Sequence, residues 1–469
     1  MKRILFIFSI LVIGLASCKK DLGNYNYHVP SKPIVTGFTD STFQALVGDS
    51  LILAPKVTIQ GANPLTDLTY QWDIIVADEA RTDTYMGYPL RIVYNLAPSL
   101  RDAKLTITDK RNGIKYFFPF KIQGGTQFST GTSVLTIDGS TTKLSFIKPD
   151  GTILSNLYKS LNGEDLPANP IQLFAKPLAY QPGTVEDYWV VCQDNNKQSV
   201  IIDGSTMLLK RYFNQQFFTA PNPINLGHFE ASTGTPTGEI NGKLYLSVTS
   251  TAPFAPDFGK FSNAQSGTYT LSPYYSRTPN YFFGFDSAAQ SFITFDGGGN
   301  YMGNDFTSDG NAFDPKHIGS SNLVFMQAQP GQSYAYIKGA DNQLYELSFY
   351  IDMDNYAQRT LHVYGKRIFK GAALVNADTK WQQSTINVFY FTSNDKIYRY
   401  NPLNEDLRAL DANFGGKKVS MIKLSADGNT LTAGTDGALY TLDISVGKNG
   451  NITKTITGIP GAPVDVVIR

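Results

Sequence analysis

Apolar and polar positions alternate with period two along most of the chain, in short runs broken by Gly, Asn, Asp and Pro. This alternation predicts half-buried strands joined by tight turns, and no long helical pattern with proper caps stands out. The clearest unit is Asp436-Gly-Ala-Leu-Tyr-Thr-Leu442, a turn followed by an alternating strand. Asn394-Asp-Lys-Ile-Tyr-Arg-Tyr400, Asp341-Asn-Gln-Leu-Tyr-Glu-Leu347 and Asn241-Gly-Lys-Leu-Tyr-Leu246 repeat its order. Each reads as the turn and returning strand of a hairpin. One hairpin cannot bury its own apolar face, so repeated copies must stack on one another.

Aligned on Tyr440, the units fall at Ser145, Ser199, Tyr245, Phe292, Tyr345, Tyr398 and Tyr440, spaced by 54, 46, 47, 53, 53 and 42 residues. That pitch, filled mostly by strands, predicts a β-propeller of four-stranded blades over residues 124–469, with seven blades the leading count and six or eight the alternatives. The last unit supplies four strands, Val419–Leu424, Thr430–Ala433, Ala438–Asp443 and Ile452–Thr457. Beyond it, Val464-Asp-Val-Val-Ile468 has an inner-strand pattern and no blade of its own. The first unit, Ser133–Ile137 and Lys143–Ile147, lacks an inner strand, so the C-terminus is expected to close the ring by supplying it. Tyr440 and its equivalents are expected to pack between blades.

Upstream, residues 31–123 change to shorter strands, with candidates at Ser50–Pro55, Leu68–Ile74, Leu90–Tyr94, Ala103–Thr108 and Lys115–Ile122. They predict an antiparallel β-sandwich of immunoglobulin type, with Trp72 packed against the opposite sheet. The fold expected is therefore all-β, a sandwich followed by a propeller.

Composition agrees: aromatics are 13%, with 41 Gly and 24 Pro, which suits strands and turns. Lys+Arg (40) nearly balances Asp+Glu (39), so no basic surplus points to nucleic acid. The N-terminus is more specific. Lys2 and Arg3 precede the apolar run Ile4–Leu15, which suits a secretory signal over residues 1–17 rather than a membrane span. It ends in Leu15-Ala16-Ser17-Cys18, which resembles a bacterial lipobox. The resemblance implies cleavage before Cys18 and acylation of its thiol and new amine, and more than one acyl chain anchors lastingly. Residues 18–30 then read as the lipidated Cys and a polar tether. Cys192 is left as the only other thiol, on an apolar strand where it is expected to be packed.

The search for chemistry finds little. The four His residues, His28, His228, His317 and His362, lie in no metal-ligand spacing, and no metal or cofactor is expected. His228-Phe-Glu230 puts two ionisable groups on one strand face, where a solvated pair is the ordinary reading. No nucleophile elbow, phosphate loop or dinucleotide fingerprint appears, and no catalytic residue is assigned. Residues 249–283 stand apart, with many Phe and Tyr interrupted by Pro. Rings of this kind usually pack a blade, but a proline-broken aromatic segment on a rim also suits binding. Phe254, Phe258, Tyr274, Tyr275 and Tyr281 are the candidate ligand or partner contacts, with Tyr274 and Tyr275 expected to be the exposed pair.

Tyr70-Gln-Trp-Asp73 and the later Thr108-Asp-Lys-Arg-Asn-Gly113 are similar to the strand and turn of PKD modules, with the Gly one residue late. Together with the lipobox, Asp21-Leu-Gly-Asn-Tyr-Asn-Tyr27, Ser133–Ile137 and Leu144–Ile147, they make the chain resemble the PKD-like family lipoproteins of Bacteroidota. The resemblance implies an auxiliary lipoprotein of the outer membrane, on the cell-surface side or else the periplasmic one. It would accompany a SusC/SusD-like importer and capture or present oligopeptide or glycan without catalysis. A propeller-type glycan lyase or hydrolase, with carboxylates at the central channel, is the alternative from another class. A purely structural protein–protein interaction lipoprotein is the third.

Overall fold

The computed structural model describes residues 30–178, 184–232, 235–251, 257–278, 280–329, 331–353 and 359–469. The signal segment, Cys18 and most of the tether lie outside them. Two compact units result. One holds the described residues up to Phe43 with Ser50–Ile92 and Arg101–Ile122; the other holds Gln44–Asp49, Val93–Leu100 and Gln123–Arg469.

The first unit is built on a five-stranded sheet in the order Thr42–Leu46, Lys115–Gly125, Leu100–Asp109, Leu68–Val76, Arg81–Met86. Two strand pairs accompany it, Ile34–Thr36 with Lys56–Thr58 and Ser50–Leu53 with Leu90–Val93. Trp72 is fully buried between Phe38 and Phe120, and its indole N–H donates to the Gly87 carbonyl at 2.8 Å. A buried indole needs such a partner, so this ring packs the core. The Asp109 carboxylate closes the following turn by accepting from the Arg111 backbone N–H at 2.9 Å and from the Arg111 side chain at 2.7 Å. The Arg111 side chain is the main reason this carboxyl lies below its usual range.

The second unit holds seven sheets among the described residues. Their inner strands, taken round the ring, are Ala462–Ile468, Pro170–Pro177, Leu226–Ser232, Ser276–Arg277, Asn322–Gln327, Trp381–Gln383 and Val419–Leu424. Ala462–Ile468 pairs antiparallel with Thr132–Asp138, Val466 opposite Val134, and so completes the first sheet with the last residues of the chain. The third sheet has three strands, and the fifth has five because Thr307–Asp309 adds in parallel to Thr360–Ile368. The one α-helix among the described residues, Leu157–Asn162, joins the first sheet to the second.

Strand periodicity explains how the sheets stack, since neighbouring side chains point to opposite faces. On Val185–Cys192, Tyr188, Val190 and Cys192 join Leu135, Leu144 and Phe146 of the first sheet. Trp189 and Val191 turn the other way, to Phe229 and Ile240 of the third. On Gln332–Lys338, Ala335 and Ile337 meet the fourth sheet, whereas Tyr334 and Tyr336 meet the sixth. Met421 and Leu439 of the seventh sheet pack on Val134, Ile147 and Val466 of the first. Every sheet thus has a neighbour on both faces, and the stack closes on itself as a β-propeller. Ser145, Tyr245, Phe292, Tyr345, Tyr398 and Tyr440 all lie in the third strand of their sheets, and Ser199 immediately precedes its own.

Candidate functional site

The described rings of the aromatic segment pack largely inward rather than forming an exposed rim. Tyr275 is 3% exposed, with its hydroxyl 3.2 Å from Thr237 Oγ1, and Tyr281 is 4% exposed within the core between the fourth and fifth sheets. Tyr274 is half-buried with its ring 5.5 Å from Phe325, and Phe258 is half-buried too. The exposure expected of Tyr274 and Tyr275 is therefore corrected. They run directly into Ser276–Arg277, the inner strand of the fourth sheet, so the interfaces on either side cover them. Burial raises the hydroxyl pKa of both. Phe254 lies outside the described residues.

What the inner strands bring together is a group of ionisable side chains. Round the ring, the inner strands of the sixth, seventh, first, second and third sheets contact one another in succession. The third carries His228 and Glu230, the fourth Arg277, the seventh Lys423 and the first Asp465. Asp465 is 8% exposed and fully engaged: Oδ2 accepts from the Leu173 N–H at 3.0 Å, and Oδ1 accepts from the Val466 N–H at 2.9 Å and Lys423 Nζ at 3.0 Å. One carboxylate thus ties the seventh, first and second sheets. Lys176, also on an inner strand, is committed elsewhere, to Glu186 at 2.6 Å.

His228 Nε2 lies 3.8 Å from Glu230 Oε1, and the two side chains keep 46% and 33% of their surface. Protein nevertheless surrounds them, and that desolvation, helped by Lys423 and opposed by Asp465, pushes the imidazole down to about 4. Desolvation pushes Glu230 up to about 7 against the pull of Arg277. Neutral imidazole, partly protonated carboxyl and fixed cations therefore coexist here near neutral pH.

Beside this group, Gln172–Ala175, Lys423–Ala426, Thr430, Thr432, Thr441 and Val466–Ile468 line a cleft of about 670 Å³ where the seventh, first and second sheets meet. Sequence reading took His228 and Glu230 for an ordinary solvated pair and missed Arg277, Lys423 and Asp465. The available signal was a single charge inside an otherwise apolar innermost strand, as in Val464-Asp-Val-Val-Ile468.

Glu239 lies on the second strand of the third sheet. Its carboxyl is 7% exposed, accepts from the Gly242 N–H at 2.5 Å, and is pushed up to about 7 by desolvation. Gly227 opposite it has no room for a side chain, since a Cβ there would lie 1.7 Å from Glu239 Oε2. A folded-state pKa raised above 4.5 means the folded form binds more protons, so stability is full below that value and falls as pH rises through about 7. Glu239→Gln, which cannot ionise, is expected to melt above the wild type at pH 8 and level with or below it at pH 4.5. Parallel melting curves across that range would refute the assignment.

No group of three or more His, Cys, Asp or Glu able to hold a metal occurs among the described residues, nor any helix long and apolar enough to cross a membrane. Burial raises the Cys192 thiol to about 12, which makes it inert as a nucleophile near neutral pH.

No curated protein matches this chain at a significant level. Among solved structures it is similar to a quinonprotein alcohol dehydrogenase-like protein of Bacteroides thetaiotaomicron, at 14% identity over 94% of this chain and 100% of the other, with a TM-score of 0.43. It is also similar to the extracellular domain of a protein described as a one-component system from B. thetaiotaomicron, at 10% identity over 95% and 67%, TM-score 0.36. A third is a protein from Bacteroides uniformis described as a 6-phosphogluconolactonase, at 12% identity over 86% and 100%, TM-score 0.31. The family match is confined to the N-terminal part: residues 18–170, spanning the sandwich and the start of the ring, match the PKD-like family.

Proposed function

We propose that this chain is a lipid-anchored binding or scaffold protein of the outer membrane, accessory to a SusC/SusD-like importer, which captures oligopeptide or glycan without transforming it. The observation that carries the reading is the cleft of about 670 Å³ beside the charged ring centre. Its volume falls in the ordinary range of ligand sites, and its lining mixes apolar surface with Thr hydroxyls and one ammonium. The lipobox-like Leu15–Cys18 supports anchorage through Cys18, and the PKD-like match supports a spacer-type module between anchor and ring. Affinity capture of the full-length lipoprotein from solubilised outer membrane is expected to co-purify importer subunits. Recovery of the bait alone would count against the partnership.

A specific observation favours a second reading. Glu230 is held near neutrality within 3.8 Å of an imidazole, the state a general acid needs. Incubating the protein with mixed glycans and peptides separates the two readings, because any Glu230-dependent turnover replaces capture by catalysis.

A further inference from the structure

We propose that the ring centre reads carboxylates, and that its ligand is an acidic oligosaccharide of the uronic-acid type; this deepens the capture reading and rests on it. The argument is an account of donors and acceptors. Asp465 already accepts from two backbone N–H groups and Lys423 and is 8% exposed, so it offers little to a ligand. Lys423 spends one of its three N–H groups there, keeps 43% of its side-chain surface, and lines the cleft. Arg277 is less satisfied still. Its Nη1 is buried and has no hydrogen-bond partner among the described residues, although the guanidinium is held over the Phe282 ring at 5.4 Å.

Glu230 is the acid whose charge Arg277 feels, yet the two form no ion pair within 4.0 Å. A buried guanidinium N–H left unpaired is costly, and a planar carboxylate is the group that satisfies such a fork in two bonds. The cations also stand apart: Lys423 is on the seventh sheet and Arg277 on the fourth, three sheets away round a ring of seven. An oligomer with a carboxylate on each unit can offer one to each cation. Beside Lys423 the cleft carries Thr430, Thr432 and Thr441, whose hydroxyls match those of a sugar.

The test is calorimetric titration of the full-length protein in detergent with tri-galacturonate, with neutral tri-galactose and with penta-glutamate. Tri-galacturonate is expected to bind at least tenfold more tightly than either of the others, and more weakly as salt rises. Arg277→Gln and Lys423→Gln are each expected to lose fivefold or more for tri-galacturonate only, with Arg277→Lys recovering part of the loss. Should Arg277→Gln fail to fold, Lys423→Gln, on another sheet, carries the same expectation. Equal affinity for tri-galactose, or affinity unchanged in both variants, overturns the carboxylate inference and leaves capture standing. Tighter binding of penta-glutamate overturns the sugar assignment, and binding of none of the three overturns the inference together with glycan capture.

Discussion

A chain lacking residues 462–469 is expected to lose the cooperative melting of its propeller. Those residues provide the whole inner strand of the first sheet, paired with Thr132–Asp138 from Ala462 to Ile468. Without them Val134, Ile147 and Met421, each 3% exposed or less, lose the cover of Val466. Re-exposing three such side chains costs about 5–9 kcal/mol, at 1.5–3 each, and a domain has only about 5–15 kcal/mol to lose. Polar losses add to this. Asp465 no longer joins Leu173 to Lys423, and the Arg469 guanidinium no longer donates to the carbonyls of Phe128 at 3.0 Å and Gly204 at 2.7 Å. The strand Thr132–Asp138 becomes an open edge, which invites aggregation. Calorimetry of the truncated chain should show no transition for residues 123–469, or one lowered by well over 10 °C. Asp465→Ala is the milder companion: it leaves the Leu173 N–H without its acceptor for about 1–3 kcal/mol and should lower the same transition without removing it. A truncated chain that melts like the parent would mean that the first sheet closes by other means.

The sequence made the ring legible through its turns. Asn241-Gly242 takes φ of 54° and 71°, the left-handed pair required by a two-residue hairpin, and Asn342 and Asn394 do the same work at 66° and 53°. These turns join second to third strands, so the residues aligned on Tyr440 fall at one depth in every sheet even where the side chain has drifted to Ser. Strands without such punctuation were harder to see. Arg81–Met86 has polar side chains on both faces, and Ile34–Thr36 and Lys56–Thr58 are three residues each, too short for any period to show.

The site was harder to read for a different reason. Exposure was inferred for Tyr274 and Tyr275 from aromatic density and nearby prolines, but in a closed stack both faces of a sheet are covered. All six residues of Tyr281–Asp286 are buried, and an apolar run of that kind marks an interface rather than a rim. Arg277 and Lys423 lie 146 residues apart and Arg277 and Asp465 lie 188, so only the ring brings them to one centre. A lone charge in an innermost strand was visible in the chain; its partners were not.

Trp189→Ala is expected to give the largest loss from a single side chain. The indole is fully buried where the second sheet meets the third, with the rings of Phe174, Phe213, Phe229 and Phe261 at centroid distances of 5.1, 5.4, 5.4 and 5.9 Å. Replacing a core Trp by Ala costs about 3–5 kcal/mol, because rings held by rigid strands collapse only in part around the void. The indole N–H, however, has no hydrogen-bond partner among the described residues. Leaving such a donor unpaired costs about 1–3 kcal/mol, and that cost vanishes in Trp189→Phe, where the remaining ring still fills most of the space. The two terms nearly offset, so Trp189→Phe should lie within about 1.5 kcal/mol of the parent while Trp189→Ala falls far below it. Denaturant titration of both variants, followed by near-ultraviolet circular dichroism, reads the difference. If Phe proves as damaging as Ala, the indole N–H has a partner that matters, and the interface is held by that bond rather than by packed rings. If Ala is tolerated, the second and third sheets do not depend on one another, and the closed stack is less cooperative than its seven interfaces imply.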